Sequence, residues 1–338
     1  MAPWATGHFA SMMTSFSSAC DDRAIILNSK QSTTRGNLTP LEVHVKLATI
    51  TPLKGDPVAA PVKKWSAKDA KKSIITPSDL DNKYSRGVLG VITGSAQYPG
   101  AAVLTTSAAA ATGVGMLRFY SSSGLAHLVL HSTPSVVVFP GNVSAWIVGS
   151  GIDARKHSSW STWLRHRHFK SLKIQGVPTV LDAGALHLAG KLTQPTVITP
   201  HSGELARLLT ARGVSVTSEA IEGNPKKWVI TAAKTLGVTV LLKGSQTYVG
   251  YDDLLIELPV ATPWLATAGT GDVLTGILGS LVATNFIEVL NNKYRLAELA
   301  ATAAFIHASA AKKASAGGPI SAESIIPEIS GAISQILK

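Results

Sequence analysis

The fold is decided by the stretch Ala268-Gly269-Thr270-Gly271-Asp272-Val273-Leu274-Thr275-Gly276, a glycine-rich turn that leads into a long apolar segment. Glycines at 269 and 271 leave backbone N–H groups uncovered at a helix start, where the helix dipole is positive. Asp272 follows directly. A carboxylate there can accept the proton of a hydroxyl group while the backbone stabilises a phosphoryl group in transfer. The alternative is an aspartate that only neutralises the dipole. The stretch indicates phosphoryl transfer, with Asp272 as the catalytic base.

Short apolar runs and helix-like segments alternate around this stretch, which predicts an α/β protein with a mostly parallel central sheet and helices on both faces. Ligands of such sheets bind at the carboxyl ends of the strands. The predicted strands are Val88–Thr93, Gly115–Tyr120, Leu125–Leu130, Val136–Phe139, Ala145–Val148, Thr179–Asp182, Thr196–Thr199, Val238–Leu242 and Gln246–Tyr251. The predicted helices are Ala101–Thr112, His157–Gln175, Ser202–Ala211, Pro225–Leu236, Gly271–Phe286, Arg295–Ala314 and Ala322–Leu337.

The composition describes a globular chain with a large core. Its 338 residues are 45% hydrophobic and only 15% charged, which excludes a disordered protein because disorder requires low hydrophobicity and high charge. Residues 1–64 are irregular and predict a poorly ordered or loosely docked extension, whereas residues 65–338 predict one α/β domain. The single cysteine, Cys20, cannot form an intramolecular disulfide, which favours the cytoplasm as a reducing compartment.

The formal net charge of +11 raises the alternative of a nucleic-acid-binding protein. The excess charge is diffuse, however, and no motif that reads RNA or DNA accompanies it. A solvated basic face, or a general attraction for small anions, explains the charge equally well. We therefore predict no nucleic-acid partner.

A membrane protein is a second alternative, since residues 87–152 contain one charged side chain, Arg118. Prolines and glycines interrupt this region, and a spanning helix needs about 20 consecutive apolar residues. We predict no membrane partner. The mean hydropathy of +0.22 instead favours a homo-oligomer, for which a tetramer is one candidate order.

Small or polar residues follow several predicted strands. The loop Gly94–Ala102 opens onto a helix and leaves N–H groups free for an anion or a ribose oxygen, unless its glycines serve only for packing. His201 ends a strand before a helix that Ser202 can cap, so its polar surroundings have capping as an alternative role. Lys243 offers a cation to a phosphate, or extends from the sheet rim into water. Asp182 either caps the next turn or contacts a ligand or its metal.

Together these segments resemble the ADP-dependent NAD(P)H-hydrate dehydratase family, which has a three-layer ribokinase-like fold. The resemblance covers about residues 65–315, and its proline-histidine-x-glycine-glutamate element distinguishes the family from sugar and vitamin kinases. The matching segments are Lys83-Tyr84-Ser85-Arg86-Gly87, Gly94 to Ala102, Gly149-Ser150-Gly151, Leu181-Asp182-Ala183, Thr199-Pro200-His201-Ser202-Gly203-Glu204, Leu242-Lys243-Gly244 and Ala268-Gly269-Thr270-Gly271-Asp272-Val273-Leu274.

The resemblance implies a carbon–oxygen lyase that repairs hydrated NADH or NADPH. ADP, the co-substrate, phosphorylates the ring hydroxyl, phosphate then leaves, and AMP, phosphate and the normal dinucleotide result. The resemblance further implies a Mg²⁺ ion that offsets phosphate charge, without indicating its ligands. Carried over by position, the hydrate is contacted by Ala101, Gly151, His201 and Asp272. The adenine nucleotide is held by Lys243, Gly244, Ser245, Gln246, Thr247 and Gly271.

Some residues depart from the family pattern. His187 stands where the family usually has asparagine, and Ser202 where it usually has proline. Residues 1–64 are too short for the amino-terminal epimerase domain of many relatives, so we predict no epimerase activity. A kinase for a vitamin alcohol remains the alternative within the fold, because it would use Asp272 identically. The residues themselves do not distinguish ADP from ATP, or NADH from NADPH.

Overall fold

The computed structural model describes residues 61–155 and 160–338, whose nine strands form one sheet. The strands are β1 Val62–Lys64, β2 Val88–Ile92, β3 Met116–Phe119, β4 Ala145–Val148, β5 Thr179–Leu181, β6 Thr196–Ile198, β7 Thr239–Leu242, β8 Tyr248–Tyr251 and β9 Leu254–Glu257. Their order is β1-β9-β8-β7-β6-β5-β4-β2-β3, and only β8 runs antiparallel to its neighbours. The predicted mostly parallel sheet is confirmed.

Thirteen α-helices and two 3₁₀-helices lie in the described part of the chain. The α-helices are α1 Ala67–Lys71, α2 Pro99–Thr112, α3 Ser123–Ser132, α4 Trp160–His168, α5 Lys170–Gln175, α6 Ser202–Thr210, α7 Ser218–Gly223, α8 Pro225–Leu236, α9 Thr270–Thr284, α10 Phe286–Asn291, α11 Arg295–Ser315, α12 Ala322–Ile325 and α13 Glu328–Leu337. The 3₁₀-helices are Ala183–Leu188 and Pro263–Leu265. In these described ranges no helix is both long and apolar enough to cross a bilayer.

Helices cover both faces of the sheet, and each face has its own apolar core. Every residue of β2 and β4 is buried, which explains why these strands are continuous apolar runs without polar alternation. Leu89 and Ile147 belong to the core that contains α2, α9 and α11, whereas Ile92 and Trp146 belong to the core that contains α6 and α8. The predicted three-layer α/β architecture is thereby confirmed.

Close packing of α2 against α9 positions the start of α9 over the sheet. A Cβ on Gly276 would lie 2.5 Å from the carbonyl oxygen of Thr105, so only glycine permits this approach of the two helices. The opposite face of α9 rests on the sheet, where a Cβ on Gly279 would lie 2.1 Å from Ile147. The amino end of α9 is therefore fixed by contacts on two sides.

Two predicted strands are wrong. Leu125–Leu130 lies inside α3, with Leu125 and Val129 buried one helical turn apart and Leu128 exposed between them. A short apolar run does not distinguish a strand from a buried helix face. Val136–Phe139 contributes only an isolated bridge between Val137 and Arg118.

The edge strands β1 and β9 were not predicted. They pair in parallel, with Val62 opposite Leu255, and so extend the sheet to three residues before the predicted domain start at 65. Residues 1–60 of the extension predicted over residues 1–64 lie outside the described residues. The predicted boundary between the extension and the domain therefore stays a prediction. The predicted helix His157–Gln175 begins outside the described residues and continues as α4 and α5.

Candidate active site

The carboxyl ends of β2, β4, β5, β6 and β7 meet at one edge of the sheet, beside the first turn of α9. Parallel pairing of these strands places the residues that follow them side by side, although they are far apart in the sequence. An isolated parallel bridge between His201 and Lys243 continues the sheet beyond the ends of β6 and β7. This edge is where an α/β sheet binds its ligands.

Asp272 is the third residue of α9. The helix is preceded by Gly269, whose φ of +90° lies in the left-handed region and whose position offers no side chain to cap the first N–H groups. The left-handed torsion falls on Gly269 and not on Gly271. The N–H groups of Thr270, Asp272 and Val273 donate to the main-chain carbonyls of Thr267 and Gly269. Of the backbone donors predicted to be uncovered, the described contacts leave the Gly271 N–H, which directly precedes Asp272.

The pKa of Asp272 is raised to about 7, first by burial and then by the nearby carboxylate of Asp182. The positive charge of Lys243 and the neighbouring Ser150 hydroxyl oppose this shift without cancelling it. A carboxyl group with this pKa is partly ionised at neutral pH and is a competent general base.

Asp182 forms the polar centre of the site, whereas the sequence pattern left two roles open for it. Its side chain is buried and accepts hydrogen bonds from Ser150 Oγ at 2.8 Å, Thr199 Oγ1 at 2.7 Å and Lys243 Nζ at 3.2 Å. It precedes the 3₁₀-helix Ala183–Leu188 but makes no capping hydrogen bond to it. Of the two roles left open, capping is therefore wrong.

Ser150 and Thr199 of this cluster were not among the predicted site residues, and Asp182 was left between two roles. Asp182 and Thr199 directly follow β5 and β6, and Ser150 lies two residues after β4. That shared position at strand ends was the signal available in the sequence. Their hydrogen bonds, by contrast, join segments that only the folded sheet brings together.

Lys243 lies between Asp182 and the start of α9. Its ammonium group is 3.2 Å from Asp182 and 3.9 Å from Glu204, and a Cβ on Gly271 would stand 3.5 Å from it. Burial lowers the pKa of Lys243, but the attraction of Asp182 and Glu204 outweighs it, and the pKa is raised overall. The lysine is therefore a fixed cation beside Gly271 at the start of α9.

Ala101 and Gly151 contact each other on the β2 and β4 side of the site. Gly151 has a φ of +66°, and a Cβ there would lie 2.5 Å from the Ala101 methyl group and 3.0 Å from the Tyr98 carbonyl oxygen. The loop after β2 is tied to the same place by the Gly94 N–H, which donates to the Ser150 carbonyl at 2.7 Å. Two predicted substrate-binding positions thus form one wall with small side chains.

His201, and not Ser202 as expected, is the N-cap of α6. Its Nδ1 accepts a hydrogen bond from the Gly203 N–H at 3.2 Å, and the carboxylate of Glu204 accepts one from the His201 N–H at 2.9 Å. The His201 side chain remains about half exposed, with its Nε2 3.6 Å from Glu204. It is therefore both a cap and an accessible imidazole at the edge of the site.

Ser202 and His187 make other contacts. Ser202 Oγ donates to Glu222 at 2.5 Å. His187 Nδ1 lies 2.8 Å from the Gly184 carbonyl, and burial lowers the pKa of this imidazole. The position at which the sequence departs from the family pattern is thus satisfied by the main chain.

A cavity of about 440 Å³ opens beside Lys243 on the α6–α8 side of the sheet. Four of the six predicted nucleotide-binding residues line it, while Thr247 and Gly271 do not. The Thr247 carbonyl instead accepts a hydrogen bond from the Leu258 N–H at 3.1 Å. The lining residues are Ser202, Ile221, Glu222, Pro225, Leu242, Lys243, Gly244, Ser245, Gln246 and Tyr248.

The site therefore has two halves that meet at Asp272. Ala101 and Gly151 form one half, after β2 and β4, while Lys243 and Gly271 form the other, after β7 and at the start of α9. Asp272 is close to the Ser150 hydroxyl on the first side and is within electrostatic range of Lys243 on the second. This arrangement fits a proton acceptor between an alcohol and a phosphoryl donor.

Known proteins resemble the chain in sequence. It is 37% identical over 236 residues to the bifunctional NAD(P)H-hydrate repair enzyme Nnr of Mycobacterium tuberculosis, covering 65% of this chain and 46% of that protein. It is 29% identical over 287 residues to the ADP-dependent (S)-NAD(P)H-hydrate dehydratase of Xanthomonas campestris, covering 77% and 92% of the two chains. The chain spans about half the length of the first of these relatives.

Solved structures share the fold. The ADP/ATP-dependent NAD(P)H-hydrate dehydratase of Bacillus subtilis, co-crystallised with ATP and Mg²⁺, superposes with a TM-score of 0.65 at 23% identity and covers 80% of this chain and 99% of its own. Ribokinase-like proteins share the fold as well, which confirms the ribokinase-like fold. The family model described as NAD(P)H-hydrate dehydratase matches residues 89–329. The chain belongs to the NAD(P)H-hydrate dehydratase family.

Proposed function

We propose that the chain dehydrates the S form of hydrated NADH or NADPH with ADP as co-substrate, restoring NAD(P)H and releasing AMP and phosphate. Family membership and the names of the relatives support this reaction class. The observation on this chain that carries the proposal is Asp272, a carboxyl group with a pKa of about 7 in the first turn of α9, close to Ser150 and Lys243.

The first step transfers the β-phosphoryl group of ADP to the hydroxyl group of the hydrated nicotinamide ring. Asp272 accepts the hydroxyl proton, the hydroxyl oxygen bonds to phosphorus, and the phosphorus–oxygen bond to AMP breaks. The raised pKa of Asp272 suits this role, because the carboxyl group must be ionised before the transfer and must keep the proton after it.

The second step removes the phosphate. The carbon–oxygen bond breaks, phosphate leaves with the electron pair, and the neighbouring ring carbon gives its proton to water, so that the carbon–carbon double bond forms and the dihydronicotinamide ring is restored. Lys243 and the Gly271 N–H at the start of α9 stabilise negative charge on the phosphoryl group in both steps.

The two halves of the site suggest where each nucleotide binds. We assign the hydrate to the wall formed by Ala101 and Gly151, with His201 at its edge. We assign ADP to the segment Lys243–Thr247 and to Gly271. The cavity beside Lys243 supports the second assignment.

We also propose that Mg²⁺ accompanies ADP. Within residues 61–155 and 160–338 no cluster of three or more His, Cys, Asp or Glu side chains could by itself hold a metal ion. Mg²⁺ commonly binds through one or two carboxylates, with phosphates and water as its other ligands, and Asp182 and Glu204 beside Lys243 fit this need. When bound, the ion would offset the charge of the phosphates.

A vitamin-alcohol kinase is not favoured, since the family model that matches the chain is that of the dehydratases.

The homo-oligomeric state, the cytoplasmic location and the absence of nucleic-acid and membrane partners stay predictions.

A coupled assay tests the proposed function. Purified chain is incubated with hydrated NADH or NADPH and ADP, and recovery of the near-ultraviolet absorbance of the dihydropyridine ring is followed together with AMP release. Equal amounts of NAD(P)H and AMP are expected. ADP consumption without recovery of the chromophore, or phosphorylation of a vitamin alcohol alone, would contradict the proposal. Steep, salt-dependent DNA retention without nucleotide turnover would favour the nucleic-acid alternative.

A further inference from the structure

A buried arginine lies beneath the loop that follows β2. Arg165 of α4 is 2% exposed, and its guanidinium group donates hydrogen bonds to three main-chain carbonyls. The Nε–H donates to Gly94 at 3.0 Å, and the two terminal nitrogens donate to Tyr120 and Thr93. The group also lies over the Phe119 ring, 5.6 Å from its centroid.

These carbonyls come from the carboxyl ends of two adjacent strands, β2 and β3. Carbonyl groups at a buried strand end need a donor, and the planar fork of guanidinium donors can serve three of them at once. Burial lowers the pKa of Arg165 to about 10, which leaves the side chain protonated at neutral pH. The protonated Arg165 side chain therefore connects α4 to the ends of β2 and β3 through hydrogen bonds to their carbonyl groups.

The carbonyl of Gly94 begins the loop Gly94–Ala102, which forms the predicted hydrate wall. The Gly94 N–H donates to the Ser150 carbonyl, and the Gly94 Cα would lie 3.2 Å from a Cβ on Gly151. At the far end of the loop, the Ala101 methyl group would be 2.5 Å from that same atom. A shift of Gly94 would therefore alter the wall on which the hydrate is proposed to bind.

We infer that Arg165 is a positioning residue, which fixes the Gly94–Ala102 loop in the geometry that binds the hydrate and leaves the ADP half of the site unaffected. This inference rests on the proposed function. It assigns a positioning role to a residue of α4 whose hydrogen bonds all go to the main chain and that belongs to none of the predicted site positions.

The test compares Arg165→Lys and Arg165→Gln with Arg212→Lys. Lysine keeps the charge but cannot serve three carbonyls from one plane, and glutamine keeps a planar donor without the charge. Arg212 is a matched control, because it donates to the Ala189 carbonyl away from the loop. Three quantities are measured: amide hydrogen exchange of residues 94–102, kinetic constants for each nucleotide, and the thermal midpoint.

We expect faster exchange in the loop of both Arg165 variants, and a kcat/KM for the hydrate that falls about tenfold or more, as misplacement of a substrate predicts. The KM for ADP is expected to change less than about twofold, since the ADP half lies at β7 and α9. Arg212→Lys should change none of these quantities.

Three outcomes would overturn the inference: unchanged loop exchange, equal losses for both nucleotides, or failure of both Arg165 variants to fold, which would make the residue a stability determinant only. Hydrogen exchange does not depend on turnover. If the unmodified chain shows no reaction with the hydrate, the proposed function fails by itself, and the exchange measurement still decides whether Arg165 fixes the loop.

Discussion

Lys243 and Asp182 form an ion pair of 3.2 Å, and this pair leaves Asp272, within the described residues, without a cation at contact distance. Asp272 is instead a half-buried carboxyl group facing a second carboxylate, and its pKa rises to about 7 for that reason. Had Lys243 paired with Asp272, the carboxylate would be a weaker base. Because Lys243 pairs with Asp182, Asp272 keeps the raised pKa that suits the catalytic base we propose.

Replacement of Asp272 by Asn should abolish the proposed catalysis without harming the fold. We expect turnover to fall by about 100-fold or more, the range of a lost general base, while the affinity for ADP stays nearly unchanged. Turnover and ADP binding by calorimetry check this. Asp79→Asn, at an exposed carboxylate, is the control. Unchanged turnover in Asp272→Asn would remove the residue from its role.

The same substitution should stabilise the protein at neutral pH. The pKa of Asp272 is raised from 3.8 to about 7, so between these values the folded state keeps a proton that the unfolded chain has released. The stability contributed by this group is therefore fully present below pH 4 and decreases as the pH rises to about 7. Thermal midpoints of the two proteins should agree at pH 4 and separate at pH 8, with Asp272→Asn higher. Parallel curves would refute the shifted pKa.

The pH profile of the reaction should follow the same group. The active form of the base is the carboxylate, so kcat/KM for the hydrate should rise with pH and reach half its maximum near pH 7. In Asp182→Asn the half-maximum should move to lower pH, because that carboxylate raises the pKa of Asp272. Lys243→Met should move it to higher pH, because the lysine lowers that pKa. Asp253→Asn, at an exposed carboxylate, serves as control.

The two glycines of the first α9 turn should respond differently to alanine. Gly269 has a left-handed torsion, and a Cβ there would lie 2.7 Å from Leu104, so Gly269→Ala should lower the free energy of unfolding by about 1 kcal/mol or more. At Gly271 the added Cβ meets Lys243 at 3.5 Å, an ordinary contact. Gly271→Ala should therefore keep the thermal midpoint and weaken ADP binding. Equal loss of stability in both variants would contradict this division.

Lys243→Met should weaken ADP binding more than any surface lysine substitution, because it removes the cation beside α9 and leaves Asp182 buried without its partner. Lys226 provides a matched control, since it pairs with Glu257 at 2.5 Å on a more exposed surface. Calorimetric titration with ADP distinguishes the two variants. Comparable effects of Lys226→Met and Lys243→Met would indicate general electrostatic attraction only.

Most of the sheet was predictable because its strands are buried on both faces and appear as short apolar runs. Leu125–Leu130 has the same appearance, but α3 buries only one of its faces, and composition alone does not reveal that difference. β1 was missed because its sequence, Val62-Lys63-Lys64, is exposed and gains its order from pairing with β9.

The site was predictable where one segment holds both the backbone and the side chain, as in the first turn of α9 with Asp272. It was not predictable where partners come from different strands. Asp182 meets Ser150, Thr199 and Lys243 only because parallel pairing aligns the ends of β4 to β7. His201 took the capping role expected of Ser202 because its Nδ1 reaches the Gly203 N–H.

The separation of the loops after β4 and β7 also limits the kinetic scheme. Neighbouring strands lie about 4.8 Å apart, so three spacings put the two loops about 14 Å from each other. Two nucleotides can bind at these two loops simultaneously, with the reactive end of each close to Asp272. The proposed reaction then proceeds through a ternary complex, and phosphate passes directly from donor to acceptor without a phosphorylated enzyme in between.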